Sequence, residues 1–329
     1  MGDVLRTTSI LPTLSETFKN CQITWVTRKE SVDLLEKNPF VDNILQTGGD
    51  ALGRLQIEEF DWVINPETTK ESAALATLAR GGKKRGFGLA PAGSVFSYNK
   101  GAEELLVMGL FDDAKKKNQK TYEELICQLS DLTHRRIPPV LCLAEEEVKS
   151  AKNSLATALR PGNPVVGINT GGGTRWPLKR WTAAGFTELA KRMSRQLGVQ
   201  ILLLGGPAEE DINRQIAAGL GQDLIDTGCL NASRRFASFL NLCHVVVTGD
   251  SLALHIGLAL RKRMVVLLGP TSDAEIDLYD RGSKITAPLD CLCCYRQTCH
   301  LSPNCMEAIS VETVYRTVEE QLIHLHENR

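Results

Sequence analysis

The chain has 329 residues, of which 43% are hydrophobic and 23% are charged, and its formal net charge is -1. This length exceeds one ordinary hydrophobic core and suits two α/β domains. The near-neutral charge argues against a nucleic-acid partner, and no apolar run reaches the ~18 residues that a membrane span requires. The first residues lack the positive segment of a secretory signal, so a cytoplasmic protein is expected.

Apolar runs of strand length alternate with helical patterns throughout the chain, which is typical of doubly wound parallel sheets. In chain order, the first half is predicted to contain helix 9–19, strand 23–26, helix 30–37, strand 43–45, strand 61–64, helix 71–78 and helix 121–132. The second half is predicted to contain strand 165–169, helix 186–196, strand 201–205, helix 209–220, helix 233–242, strand 245–248, helix 251–260 and strand 265–268. Two such Rossmann-like α/β domains facing each other make a natural ligand cleft.

A segment rich in proline and glycine, residues 160–164, places the predicted boundary between domains 1–160 and 161–329. The first domain opens on a turn, Gly2-Asp3, where a doubly wound domain normally opens on a central strand. Either the given start falls after that strand, or the domain lacks the strand and leaves backbone N–H and C=O groups of its sheet unpaired in the core. We favour the late start because of that cost, and we expect the first strand of the N-terminal domain to be missing here.

Three short segments of the second half lie near the ends of predicted strands, where parallel sheets bind ligands. Thr170-Gly171 opens a glycine-rich segment that allows close backbone approach to a ligand, although a tight turn explains it equally well. Lys179-Arg180 is suited to neutralising a diphosphate leaving group, and a solvated surface pair is the alternative. Gly205-Gly206 either floors a nucleotide pocket or forms a plain turn.

Thr248-Gly249-Asp250-Ser251 joins a valine-rich strand to a predicted helix, whose first backbone amides suit a phosphate. His255 follows one helical turn later, on the same side as Ser251. Capping of the helix by Asp250 or Ser251 is a sufficient structural explanation for the segment. In the first half, Asp3 is suited to taking a proton from an acceptor hydroxyl, or to capping the following helix.

Ten cysteines are present, and the five outside the C-terminal region are predicted to be small core side chains: Cys21, Cys127, Cys142, Cys229 and Cys243. The other five are Cys291, Cys293, Cys294, Cys299 and Cys305. The spacing of Cys291, Cys294, Cys299 and Cys305 is compact enough for zinc or an iron–sulfur cluster. We favour reduced thiols in a packed loop, because this cysteine spacing matches no standard zinc-finger motif. No Asp-x-Asp sequence occurs, so no metal-bridged diphosphate is indicated and no cofactor is expected for catalysis.

Taken together, these segments resemble glycosyltransferase family 9, the lipopolysaccharide heptosyltransferases, over nearly the whole chain. Residues 1–8 resemble the family's Gly-Asp-x-x-x-x-Thr turn, and Lys179-Arg180-Trp181 resembles its Lys-Arg-Trp sequence. Residues 248–255 resemble its Asp-Thr-Gly-x-x-His donor motif, and residues 268–271 are similar to its Gly-Pro-Thr loop. The cysteine segment ending at Cys305-Met306 is similar to one found in many members. Five motifs in the right order make the resemblance specific.

The resemblance implies a GT-B fold whose C-terminal half binds ADP-heptose and whose last helix, about 310–325, packs back toward the N-terminal domain. It implies an inverting, metal-independent transfer of heptose to a lipid-linked inner-core acceptor, by an enzyme peripheral to the inner face of the inner membrane. Asp3 matches the family's catalytic base, and Lys179 matches its phosphate-binding lysine. Ser251 and His255 match donor contacts beside Asp250.

Two departures from the family pattern affect the predicted sites. Leu252 stands at a donor-site position where the family has glycine, so backbone approach to the diphosphate is expected to differ. A basic position that the family uses for acceptor phosphates is Glu71 here, with Lys70 one place earlier, and Thr7 and Lys70 are the acceptor-binding candidates. A nucleotide-sugar epimerase and a non-catalytic nucleotide- or metal-binding protein remain as alternatives. An NAD dehydrogenase is disfavoured by the absent glycine fingerprint.

Overall fold

The computed structural model describes residues 1–173, 176–221 and 224–327, which form two compact units. The N-terminal unit comprises Met1, Asp3–Val140 and Ala274–Asp277. The C-terminal unit comprises Gly2, Leu141–Asp273 and the residues from Leu278 onward. The chain therefore changes unit at Val140–Leu141, and not at the predicted boundary of residue 160.

The first 140 residues carry eight described helices: α1 (Gly2–Thr7), α2 (Leu11–Thr17), α3 (Lys29–Leu35), α4 (Gly49–Ile57), α5 (Lys70–Leu78), α6 (Lys100–Leu110), α7 (Asp112–Lys117) and α8 (Tyr122–Leu129). The strands are β1 (Thr24–Thr27), β2 (Asn43–Gln46), β3 (Glu59–Asn65), β4 (Arg80–Leu89) and β5 (Val95–Ser97). Strands β1 to β3 were predicted within two residues of their observed bounds. Sequence analysis missed β4, β5, α4, α6 and α7.

The sheet of the N-terminal unit is in two pieces. Strands β1 and β2 pair in parallel, while β3 pairs in parallel with β4 and β4 pairs antiparallel with β5. Among the described strands, β1 and β3 each have one paired neighbour. The side chains of both strands are mostly half-buried or exposed. That the first strand of this domain is missing stays a prediction.

The described helices of the C-terminal unit are α9 (Glu145–Ser154), α10 (Ala183–Leu197), α11 (Glu210–Leu220), α12 (Ser233–Asn241), α13 (Leu252–Ala259) and α14 (Val311–Glu327). Its strands are β6 (Val165–Asn169), β7 (Gln200–Leu204), β8 (Leu224–Asp226), β9 (Val245–Gly249), β10 (Arg263–Leu268) and β11 (Gly282–Thr286). Local sequence sets the helix ends. Helix α10, for example, begins where the Thr182 hydroxyl accepts the Gly185 N–H and ends at Gly198, whose φ of 61° is left-handed.

Six strands of the C-terminal unit form one parallel sheet in the order β11-β10-β9-β6-β7-β8. Every residue of β6, β7 and β9 is buried, as expected for strands covered on both faces. The core includes Phe186 and Met193 of α10 on this sheet. The chain runs outward from β6 through β7 to β8 and then returns to β9 on the other side of β6. The strand order therefore reverses between β6 and β9.

Helix α9 explains why the chain changes unit earlier than predicted. It packs on α12, and its Glu147 accepts hydrogen bonds from Arg234 at 2.5 Å and 2.6 Å. Arg234 also donates to the Cys142 carbonyl at 2.8 Å, and its side chain is 10% exposed. These contacts hold residues 141–154 to the C-terminal unit, whereas the proline and glycine at 160–164 only interrupt the chain within it.

The ion pair between α9 and α12 should contribute measurably to stability. We expect Glu147→Gln to lower the free energy of unfolding by about 1–3 kcal/mol, because it leaves the mostly buried Arg234 charge without its carboxylate. The Arg214–Glu210 pair on α11 is a matched control, since its side chains are 68% and 60% exposed. Glu210→Gln should change stability by less than about 0.5 kcal/mol. Urea denaturation measures both, and equal effects would contradict this account of α9.

The last helix, α14, packs against α10 and strands β9, β10 and β11. Its Val314, Tyr315, Val318 and Leu322 belong to the core of the C-terminal unit. The prediction of a helix near 310–325 agrees with the structure, and this apolar face is buried in the core of the C-terminal unit. Packing of the same helix back toward the N-terminal domain stays a prediction. Over the described ranges, no helix combines the length and apolar character that crossing a membrane requires.

Candidate functional site

Polar side chains meet at the carboxyl ends of β6 and β9, where the strand order reverses. Asn169 is the last residue of β6, and its amide nitrogen lies 2.9 Å from the Thr248 hydroxyl and 3.2 Å from that of Ser251. It also lies 3.2 Å from the Gly171 carbonyl. Asn169 thus ties the glycine-rich segment after β6 to the turn after β9. Ligands of open parallel sheets bind at this position.

The N-terminus of α13 lies at this edge. Ser251 occupies the N-cap position, but its side chain makes no capping hydrogen bond. Its hydroxyl lies 3.0 Å from that of Thr248 instead. The capping explanation of this segment is therefore wrong for Ser251. A helix start without a side-chain cap suits an anion, because its first amides point outward and the helix dipole is positive there.

A lysine lies beside the start of α13. The Lys179 ammonium is 2.5 Å from a carboxylate oxygen of Asp250, and the same oxygen accepts the Thr271 hydroxyl at 3.0 Å. The two charged side chains are only 14% and 20% exposed. The alternative of a solvated surface pair for Lys179 is therefore wrong. Because an ammonium has three donors, Lys179 can hold Asp250 and a bound anion together.

Arg180 is held by a different acid. Its guanidinium lies 3.3 Å from Glu209 and donates at 3.3 Å to the Gly173 carbonyl. Glu209 is mostly buried and also accepts the Gly206 N–H at 3.0 Å. The predicted segments at Arg180 and at Gly205-Gly206 are thus joined through Glu209. This link fixes the loop after β7 next to the glycine-rich segment.

Other predicted donor-site residues serve packing. Thr170 is buried, and its hydroxyl donates to Asn213 at 2.6 Å. Gly205 packs on the same side chain, since an added Cβ would lie 2.6 Å from the Asn213 amide nitrogen. Leu252 begins α13, and His255 is buried one turn later at 8% exposure. These residues shape the walls of the edge, and their contacts with a donor remain a prediction.

In the N-terminal unit, Asp3 lies in the first turn of α1, and Met1 is the N-cap residue. The prediction that Asp3 caps the helix is therefore wrong. The Asp3 side chain is 70% exposed and forms an ion pair with Arg6 at 2.7 Å. The guanidinium of Arg6 lies 3.5 Å from the ring centre of Tyr122. Arg6 therefore holds the carboxylate at the surface from a packed position.

The two acceptor candidates differ in environment. Thr7 is buried, and its hydroxyl donates to the Asp3 carbonyl at 2.7 Å and lies 2.7 Å from the Tyr122 hydroxyl. Its side chain therefore supports α1 from within. Lys70 is exposed in the first turn of α5. An acceptor contact through Lys70 remains a prediction.

Tyr122 makes the stability of the N-terminal unit sensitive to alkali. Burial raises the pKa of Tyr122 to about 12 from 10.0, with Arg6 acting in the opposite direction. As the pH rises, the Tyr122 hydroxyl therefore ionises in the unfolded chain before it ionises in the folded one. The stability that this difference gives the folded state is complete below about pH 10 and is lost as the pH rises toward 12. We expect Tyr122→Phe to flatten the fall in unfolding free energy over this range in denaturation series. If the unfolding free energy of Tyr122→Phe fell with pH as steeply as that of the wild type, this role of Tyr122 would be contradicted.

The cysteines behave mostly as predicted for reduced thiols. Of the five scattered residues, Cys127, Cys229 and Cys243 are buried, and Cys21 and Cys142 are half-buried. In the C-terminal segment, Cys305 is buried in the core beneath Gly269, and burial raises the pKa of its thiol. The exposed thiols of this segment are Cys291 and Cys299.

A metal site at Cys291, Cys294, Cys299 and Cys305 stays a prediction. In the described part of the chain, no group of three histidine, cysteine or acidic side chains is arranged to hold a metal. Backbone contacts hold the segment beside the loop after β10: the Cys293 N–H donates to the Gly269 carbonyl at 3.1 Å, and the Tyr295 N–H donates to the Pro270 carbonyl at 2.8 Å. Cys293 and Cys294 are half-buried, between the buried Cys305 and the exposed Cys291 and Cys299.

Sequence analysis gave no site role to three side chains of this edge, Asn169, Glu209 and Thr271, although Thr271 belongs to the loop at 268–271 that resembles the family's. Asn169 and Thr271 lie at or just after a buried strand, which is a usable signal because such positions face the binding edge of a parallel sheet. Glu209 lay at the start of a predicted helix and gave no signal of burial. Its role depends on Arg180 approaching from a distant segment.

Comparison with known proteins places these features in a family. A family model described as glycosyltransferase family 9 (heptosyltransferase) matches residues 51–304. The chain is 25% identical to lipooligosaccharide heptosyltransferase 2 of Haemophilus influenzae over 300 residues, covering 83% of this chain and 81% of that protein.

Solved structures share the fold. A family 9 glycosyltransferase from Veillonella parvula has a TM-score of 0.77 at 19% identity, covering 98% of this chain and 94% of that chain. ADP-heptose lps heptosyltransferase II of E. coli has a TM-score of 0.74 at 20% identity, covering 99% and 96%. These neighbours confirm the predicted α/β fold of the GT-B type, with two Rossmann-like domains.

Proposed function

Because the chain belongs to glycosyltransferase family 9, the heptosyltransferases, we propose that it transfers heptose from ADP-heptose to a lipopolysaccharide inner-core acceptor. The family makes it a glycosyltransferase. The choice of donor and acceptor is supported by the names of its relatives, a lipooligosaccharide heptosyltransferase and an ADP-heptose heptosyltransferase. The acceptor in this proposal is a lipid-linked saccharide at the inner-membrane surface.

The observation that carries the donor assignment is Lys179 held by Asp250 beside the uncapped start of α13. A nucleoside diphosphate needs compensation for its negative charge, and a lysine next to the first amides of a helix supplies it. The edge between β6 and β9 supplies the concave position for the nucleotide. The ADP moiety therefore binds to the C-terminal unit, with its diphosphate directed to Lys179 and the first amides of α13.

The transfer proceeds by direct displacement. The acceptor hydroxyl gives its proton to the Asp3 carboxylate, and its oxygen attacks the anomeric carbon from the face opposite ADP. The new glycosidic bond forms as the bond from the anomeric carbon to the diphosphate oxygen breaks. The bonding electrons leave with ADP, so the anomeric configuration inverts.

Lys179, Arg180 and the α13 amides compensate the charge that develops on the leaving diphosphate. This set performs electrostatically what a bridging metal does in other transferases, so the reaction is metal-independent in this proposal. Arg180 is anchored on Glu209, which keeps its guanidinium beside the glycine-rich segment. Glu209 and Asn169 act by positioning these groups.

A transfer assay tests the proposed function. Purified protein, ADP-heptose and an inner-core acceptor should release ADP and form a glycoside of inverted anomeric configuration, with no loss of rate in EDTA. Donor without acceptor should be turned over negligibly. Conversion of the donor without acceptor would indicate an epimerase, and binding without any turnover would indicate a non-catalytic protein. Loss of activity in EDTA would contradict the metal-independent mechanism.

A further inference from the structure

Exposed apolar side chains gather at the junction of α6 and α7 in the N-terminal unit. Leu110 and Phe111 are 68% and 60% exposed, and Val107, one turn earlier, is 42% exposed. Phe111 is both the C-cap residue of α6 and the N-cap residue of α7. Single exposed apolar residues are ordinary, but three within one turn form a patch that favours a partner.

Lysines follow the patch directly. Helix α7 carries Lys115, Lys116 and Lys117 in its last turn, and Lys120 comes shortly after. Residues 112–120 contain two acidic and four basic side chains, a net charge of +2. The acidic residues, Asp112 and Asp113, lie in the first turn of α7. This local excess of positive charge contrasts with the whole chain, whose net charge is -1.

A shallow cavity of about 290 Å³ adjoins the same segment. It is lined in part by Met108 of α6 together with Lys117 and Lys120. Lys120 forms an ion pair with Glu104 at 3.5 Å and donates to the Gln128 side chain at 3.0 Å, whereas Lys117 adds a second ammonium to the lining. The rest of the lining mixes apolar side chains with polar ones and includes the Glu104 carboxylate. The two ammonium groups and the apolar Met108 and Leu125 suit the phosphate diester and the first methylenes of a phospholipid.

We propose that the exposed patch of Val107, Leu110 and Phe111, together with the adjacent lysines, docks the protein on an anionic phospholipid surface. Leucine and phenylalanine next to a cluster of lysines are suited to the boundary between headgroups and acyl chains. The choice of a lipid surface over a second copy of the chain rests in part on the proposed function, because a lipid-linked acceptor lies at such a surface. The lysines favour the same choice, since two copies of one basic segment repel each other.

Vesicle sedimentation tests the docking surface. The protein should bind vesicles of phosphatidylethanolamine with phosphatidylglycerol more strongly than vesicles of neutral phospholipid alone, and salt should weaken the binding. The Leu110→Ser/Phe111→Ser variant should lose about tenfold or more of its vesicle affinity. Lys116→Glu/Lys117→Glu should abolish the preference for anionic vesicles. Leu230→Ser is the matched control, because Leu230 is 82% exposed and belongs to the C-terminal unit.

The outcomes separate this proposal from the proposed function. Transfer to an acceptor without its lipid should be unchanged in the serine variant, which also shows that the variant is folded. Wild-type protein that fails to bind either vesicle, or a serine variant that binds like wild type, would overturn the proposal. A wild-type dimer that the serine variant converts to monomer would assign the patch to self-association instead. Vesicle binding without any transferase activity would refute the proposed function alone.

Discussion

Replacing Asp3 with alanine is expected to lower the rate of heptose transfer by about 10²–10⁴-fold while leaving ADP-heptose affinity unchanged. The reason is that Asp3 takes the acceptor proton in the proposed mechanism and has no part in binding the nucleotide. Its carboxylate is 70% exposed and forms an ion pair with Arg6, so the substitution removes a surface group and no core packing. Single-turnover rates and calorimetric titration with ADP-heptose measure the two quantities.

Asp50→Ala is the matched control for this variant. Asp50 is an exposed acid in the first turn of α4, as Asp3 is in the first turn of α1. The control should transfer heptose at the wild-type rate. Undiminished turnover by purified Asp3→Ala protein would refute the base assignment, and a parallel loss of donor affinity would assign Asp3 to binding instead.

The second large effect is expected at Lys179. Lys179→Ala should lower kcat/KM for ADP-heptose by about 10²–10³-fold, because the leaving diphosphate loses its nearest cation. The variant also leaves the Asp250 carboxylate with Thr271 but without its ammonium partner. That carboxylate then repels the diphosphate, so part of the loss should appear as weaker binding of ADP itself.

Two further variants separate these contributions. Lys179→Ala/Asp250→Asn should bind ADP better than Lys179→Ala alone, because the uncompensated carboxylate is gone. Lys284→Ala is the matched control: Lys284 lies on β11 of the same sheet and donates to the Asp273 carbonyl at 2.7 Å. It should leave kcat/KM unchanged. Equal kinetics in the Lys179 and Lys284 variants would remove Lys179 from the donor site.

Much of the C-terminal unit could be predicted because its strands are continuous buried apolar runs. Strands β6, β7, β9 and β10 each follow this rule and were located within two residues. Strand β4 is not an apolar run, because its first six residues, Arg80 to Arg85, are all glycine, lysine or arginine. Its place is set by pairing with β3, which a local pattern does not contain. Helix α9 was missed for a similar reason, because its attachment depends on Arg234 far along the chain.

The candidate site was predictable where the sequence itself places residues together. Asp250, Ser251 and His255 follow one strand. A strand followed directly by a helix is enough to predict that these residues lie together at the edge of the sheet. Which acid holds each cation depends on the fold: Lys179 pairs with Asp250 after β9, while Arg180 pairs with Glu209 after β7. Two adjacent residues thus reach different loops, and no sequence spacing carries that information.

A crystal structure of the protein with ADP-heptose tests the central claim most directly. The account predicts the nucleotide at the carboxyl ends of β6 and β9, with diphosphate oxygens within hydrogen-bond distance of the Lys179 ammonium and the first amides of α13. The heptose should lie with its anomeric carbon open to attack on the side away from ADP. A nucleotide bound elsewhere, or one whose diphosphate makes no contact with Lys179 or α13, would contradict it.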